Sequence, residues 1–200
     1  MKKIRIILIV ILILIILVTL TIKILFKESP KIENKIINEI KDYGYVLEDN
    51  KSSLYKQYFD ELVILLKEED VNEEEYVKLI TKLFISDFYN LDNKTTKNDI
   101  GGTQFIYSSA KDNMILEASN TIYKYIENNL DNKRKQDLPV VSNITIDSIE
   151  NTTYKYNDIE DDKAYVVSVS WEYTNDLDYQ KKADITFIHE DNKLSIVEIK

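Results

Sequence analysis

Ser53-Leu54-Tyr55-Lys56 fits the S-x-x-K pattern, in which a serine at a helix start is activated by a lysine one turn further on. The S-D-N and K-T-G elements that accompany that chemistry are missing from the chain. A serine just ahead of an apolar helical run also serves as a helix cap, which is the stronger reading of Ser52 and Ser53. The one imidazole belongs to His189. Paired with Asp184 or Glu190 it would make a general base, but alternation along a strand turns those two acids to the opposite face. Three acidic runs, Glu68-Glu69-Asp70, Glu73-Glu74-Glu75 and Asp158-Ile159-Glu160-Asp161-Asp162, offer the oxygen density that calcium needs. None has the alternating ligands, central glycine and terminal glutamate of an EF-hand loop, so solvated turns and a helix N-terminus account for them. Trp171, Tyr173 and Phe187 share one face of a strand pair. They either line a groove for a peptide or glycan or, the preferred reading, fill a core beneath helices. Phe105 and Tyr107, next to Gly101-Gly102 in the 98–107 loop, complete the set of candidate partner contacts.

Composition removes most other chemistries. With no cysteine, disulfides, cysteine-ligated zinc and thiol catalysis are excluded, and three glycines leave no room for a glycine-rich phosphate loop. Neither a catalytic residue set, a metal-ligand set nor a cofactor site emerges. The 26 basic and 35 acidic residues give a net charge of −9. The first 26 residues hold Lys2, Lys3, Arg5 and Lys23 and no acid, so the remainder carries 22 basic against 35 acidic residues, or −13. A body this acidic is repelled by phosphate backbones, which removes nucleic acid as a partner.

The elements that must position these residues follow from hydrophobic periodicity. Leu54, Tyr55, Tyr58, Phe59, Leu62, Leu65 and Leu66 lie on one helical face after Ser52 or Ser53. Asn72 with Glu75 opens a second helix whose face is Tyr76, Leu79, Ile80, Leu83, Phe84 and Phe88. Residues 91–107 read as a polar loop broken at Gly101-Gly102. Ser108 or Ser109 is expected to cap a third helix, with Met114, Ile115, Ala118, Ile122, Ile126 and Leu130 as its face. After Pro139 the period changes from 3.6 to 2. Tyr165, Val167, Val169, Trp171 and Tyr173 alternate with Ser168, Ser170 and Glu172, and Ala183, Ile185 and Phe187 repeat the pattern. Short polar connections between such strands mean an antiparallel meander. The expected body, residues 45–200, is therefore α+β: three helices packed on one face of a curved antiparallel sheet of about four strands.

Residues 6–22 read IILIVILILIILVTLTI, with Thr19 and Thr21 the sole departures from Ile, Leu and Val. Fifteen such residues contribute about −4.5 to −9 kcal/mol toward bilayer insertion. Seventeen helical residues rise about 25 Å, and continuing to Phe26 with Lys23 snorkelling spans the ~30 Å hydrocarbon layer. A cleaved signal peptide would have a shorter apolar core and a small-residue cleavage site, so residues 1–26 are expected to be a retained transmembrane anchor. Residues 27–44, with Ile32, Ile36, Ile37 and Ile40 at helical spacing, are expected to form a stalk helix ended by Gly44, and Tyr45 to Leu47 a short strand. Lysines flank both ends of the span, so the positive-inside rule is nearly silent. The long C-terminal body favours an extracytoplasmic placement.

The stretches LVILLKEEDVNEEEYVKLITKLFISDFYNLDNKTTKNDIGG and TQFIYSSAKDNMILEASNTIYKYIENN resemble an uncharacterised family of single-pass membrane proteins of Gram-positive bacteria. That resemblance implies no activity. A membrane helix followed by three helices and a curved antiparallel sheet is also similar, in element order, to the cystatin-like or nuclear-transport-factor-like ectodomains of type IV secretion assembly factors, which implies an assembly role. The expectation is a single-pass, non-enzymatic interaction module of the bacterial cell envelope. Its partners are the bilayer, other envelope proteins and a second copy of the chain. The alternative is a tethered ligand-binding or hydrolytic body with a pocket between sheet and helices.

Overall fold

The computed structural model describes residues 14–18 and 34–200, and the chain divides into two compact units, Met1–Glu33 and Asn34–Lys200. Residues 14–18 are helical, and among the described residues no helix is long and apolar enough to cross a membrane. The rest of the expected anchor, and residues 27–33 of the expected stalk, lie outside the described residues.

The unit Asn34–Lys200 is α+β. Its elements run β1 (Ile36–Ile40), β2 (Tyr45–Glu48), α1 (Ser53–Leu65), α2 (Glu73–Phe88), a 3-10 turn (Thr103–Phe105), α3 (Lys111–Asn120), β3 (Val141–Tyr156), β4 (Ile159–Tyr173), β5 (Lys182–Glu190) and β6 (Lys193–Ile199). The last four strands form the expected antiparallel meander in the order β3-β4-β5-β6, and β1 and β2 make a separate antiparallel pair. Tyr165 pairs with Phe187, Val167 with Ile185 and Val169 with Ala183, so the alternation read from sequence stacks one apolar face. All six of those residues are buried.

The caps explain why α1 and α2 begin where they do. Ser52 Oγ accepts from Tyr55 N at 3.1 Å and Asn72 Oδ1 from Glu75 N at 3.1 Å, each satisfying a first-turn amide that the helix leaves unpaired. α2 is the central element. It packs on α1 and on β3 and β4, and its last turn, Ile85 to Phe88, is buried on every side; the Ser86 hydroxyl there and the Thr81 hydroxyl further back donate to the Leu83 and Val77 carbonyls.

Two expectations are corrected. Where a stalk helix was expected, Ile36–Ile40 is a strand paired with β2. The three isoleucines are β-branched, which suits a strand better than an isolated helix. Gly44, at φ +64, lets the chain reverse over residues 41–44, with Tyr43 and Gly44 N–H groups bonded to the Ile40 and Lys41 carbonyls. β2 buries Tyr45 and Leu47, while Ile36 and Ile37 remain about half exposed. The third helix is also shorter than expected. It starts after Ala110 without a serine cap and stops at Asn120, burying Ala118 alone, rather than continuing to Leu130. The cause is Tyr123. This fully buried ring donates its hydroxyl to the Phe88 carbonyl at 2.6 Å and accepts from Gly101 N at 3.1 Å, a position that a continuing helix would not reach.

Candidate functional site

The five candidate contact aromatics do not form one surface. Phe105, Trp171 and Phe187 are buried in the core, Trp171 in tilted contact with Tyr89 (centroids 4.3 Å apart) and Phe105 with Tyr45 (5.4 Å). The space between sheet and helices is thus filled by these rings. Tyr107 and Tyr173 are half-buried. Tyr107 meets Tyr156 edge-on at 5.5 Å, and Tyr173 donates its hydroxyl to the Gln180 carbonyl at 2.8 Å.

The loop after α2 is built for closure. Its anchor is Asp87, an α2 residue that the apolar periodicity of that helix does not single out. Asp87 is 2% exposed and takes Lys94 Nζ at 2.6 Å, Lys51 Nζ at 2.9 Å and Gly102 N at 2.8 Å. Gly101 presses so closely that an added Cβ would lie 2.3 Å from the Asp87 carbonyl oxygen. Beyond it, the Gln104 amide accepts from Val46 N (2.9 Å) and donates to Val46 O (3.1 Å), closing the outer edge of β2. Tyr107 N bonds Ile196 O at 2.9 Å on the edge of β6. Residues 98–107 therefore cover two strand edges. A lone acid in the apolar run LFISDF, seven residues before Lys94, is the signal that could have found this cluster.

His189 lies between acids other than those expected. Its Nδ1 is 2.8 Å from Asp161 Oδ2, which also accepts the His189 backbone N–H at 2.7 Å, and its Nε2 is 3.5 Å from Glu73 Oε1. Tyr165 donates to the other oxygen of Glu73 at 3.0 Å. Burial works against the Asp161 carboxylate, but the backbone N–H and ring of His189 hold it below the usual range. Of the acids first considered, Asp184 accepts from Ser168 at 2.6 Å, and Glu190 accepts from Ser108 N and Ser195 Oγ. Carboxylates thus face both ring nitrogens, and the Tyr165 hydroxyl is bound to one of those carboxylates. In the S-x-x-K segment, Lys56 Nζ donates to the Asp49 carbonyl at 2.7 Å and Ser52 is the cap. Glu74 and Glu75 both pair with Lys78 at 2.8 Å. Among the described residues no group of three or more acids and histidines is arranged to hold a metal.

One open cleft of about 500 Å³ lies where β3, β4 and β5 meet the β4–β5 connection, and the buried Trp171 is among its lining residues. Its floor is a cross-strand row: Thr145 on β3 pairs with Ser170 on β4, which pairs with Lys182 on β5, and Glu172 follows on β4. Its wall is the β4–β5 connection, with Asp178, Tyr179 and Lys181. Ser170 Oγ donates to Asp147 Oδ1 at 3.0 Å. The connection is ordered by Lys181–Asp176 at 2.6 Å, by Trp171 N to Lys181 O at 2.8 Å, and by Gln180 Nε2 to Lys182 O at 2.8 Å. No family model, curated protein or solved structure matches the chain.

Proposed function

We propose that the chain is a single-pass, membrane-anchored, non-enzymatic interaction and assembly module of the bacterial cell envelope. In this reading the apolar segment between Ile6 and Phe26 is the span, and the body lies outside the membrane. The observation that carries it is residues 6–22, an uncharged run of Ile, Leu and Val relieved by Thr19 and Thr21 and bounded by Lys2, Lys3, Arg5 and Lys23, ahead of a separate unit that begins at Asn34. The space where a pocket was expected is filled by Trp171, Phe105 and Phe187, which supports an interaction module over a body built around that pocket. The element order after the β1–β2 hairpin, helices and then a four-stranded meander, supports a cystatin-like or nuclear-transport-factor-like body related to the single-pass family named above. Fold-level likeness carries no residue role. Tethering confines the body to the membrane plane, so modest contacts with other envelope proteins, or with a second copy, suffice for assembly.

Protease shaving of intact cells tests the reading. The expected result is loss of the body while the anchor stays with the membrane fraction. Full protection of the body would reverse the orientation, and mature protein that begins after Phe26, or that fractionates as soluble, would remove the tether. A second reading, a tethered ligand-binding body, draws its support from the cleft beside Tyr179.

A further inference from the structure

We infer that the cleft formed by Thr145, Ser170, Glu172 and Lys182 on the sheet and by Tyr179 and Lys181 on the β4–β5 connection is a binding site for a neutral, hydroxyl-rich saccharide. It deepens the second reading and does not rest on the tether. The volume, about 500 Å³, falls within the roughly 300–1,000 Å³ of small-molecule sites, and the cleft is open, which suits one stretch of a longer chain.

Charge selects the ligand class. The lining holds two acids, Glu172 and Asp178, and two bases, Lys181 and Lys182, on a chain of net charge −9. Within the lining the two signs balance, and Lys181 is already paired with Asp176 at 2.6 Å, so the cleft itself selects neither a polyanion nor a polycation. What remains favoured is a neutral molecule that needs many hydrogen bonds in a small area. Sugar hydroxyls both donate and accept, and this lining supplies carboxylate acceptors, ammonium donors and the Thr145 hydroxyl, which does either. Ser170 already spends its proton on Asp147, so its oxygen presents lone pairs. The Tyr179 ring, edge-on to Tyr173 with centroids 6.5 Å apart, provides a wall for the C–H face of a pyranose. The hydrogen bonds that order the connection set this wall before a ligand arrives.

The test uses the full chain in a zwitterionic detergent that carries no sugar headgroup. Chitotetraose and cellotetraose are titrated and followed by calorimetry, with inorganic polyphosphate as the anionic comparison. The expected result is saturable binding of at least one tetrasaccharide and none of polyphosphate. Tyr179→Ala weakens that binding by about five- to tenfold, and Tyr179→Phe, which keeps the ring, leaves it within about twofold. Because Tyr179→Ala also loosens the connection, Thr145→Arg serves as the second variant. Its side chain enters the cleft from an exposed position, leaves the unfolding midpoint unchanged and abolishes binding. Absence of saturable binding for both saccharides, preference for polyphosphate, or binding indifferent to Thr145→Arg would each overturn the inference.

Discussion

Asp87 is the residue on which the loop after α2 depends. Burial alone would raise its carboxyl, but the charges of Lys94 and Lys51 outweigh burial and hold it well below the usual carboxylate range. The same contact raises the Lys51 ammonium despite the burial that opposes it. A folded value below the unfolded one, about 3.9, sets the sign. The stabilisation is complete above roughly pH 5 and is lost as acidification carries the pH down toward the folded value. Asp87→Asn leaves two ammonium groups facing a neutral amide and costs about 3–5 kcal/mol, read by urea unfolding at neutral pH. It also flattens the loss of stability on the acid side. A variant within about 0.5 kcal/mol of the parent, the scatter of ordinary surface substitutions, would mean that the loop is held by its other contacts.

Among the elements, the β1–β2 hairpin divides its work unequally. β2 is fixed by the Tyr45 and Tyr76 hydroxyls, 2.6 Å apart in the interior, and by the Gln104 amide, whereas β1 contributes the half-exposed Ile36 and Ile37 and only Ile40 against the core. Removing the hydroxyl in Tyr45→Phe costs about 1–2 kcal/mol, since Tyr76 loses a buried partner. Ile37→Ser changes stability by no more than about 0.5 kcal/mol. Equal costs in chemical denaturation would contradict a hairpin held through β2. The loop glycines are a sharper case. Gly102 sits at φ +71, and an added Cβ would lie 2.6 Å from a Phe84 ring carbon, so Gly102→Ala is expected to cost about 2–4 kcal/mol in the same assay.

At the scale of the whole molecule, the division at Asn34 separates a unit with its own core from the apolar segment before it. A fragment covering Asn34–Lys200 should unfold in one cooperative transition by circular dichroism and stay in solution without detergent. The full chain should require detergent. A fragment that is molten or aggregated would show that the first 33 residues take part in folding the body. The strong acidity of the body, −13 beyond residue 26, keeps such a fragment dispersed at neutral pH.

Local rules settled much of this protein from its sequence. Ser52 and Asn72 cap the helices they precede, the apolar faces of α1 and α2 are buried as their spacing requires, and the alternation from Tyr165 to Trp171 marks the core face of β4. Each is a contact with near neighbours or a periodicity imposed by one element. What tertiary structure alone decided depends on partners distant along the chain. Ile36–Ile40 becomes a strand because Gly44 returns the chain to pair it with β2, although its isoleucines fit a helical spacing equally well. The third helix stops short because Tyr123 is needed against Phe88, 35 residues earlier. Phe105, Trp171 and Phe187 go inside, and Asp87 finds two lysines, 36 residues earlier and seven later, because a filled core and a satisfied buried charge are properties of assembled elements. The cleft is of the same kind: Thr145, Ser170, Lys182 and Tyr179 meet through strand register and loop path, which no single segment specifies.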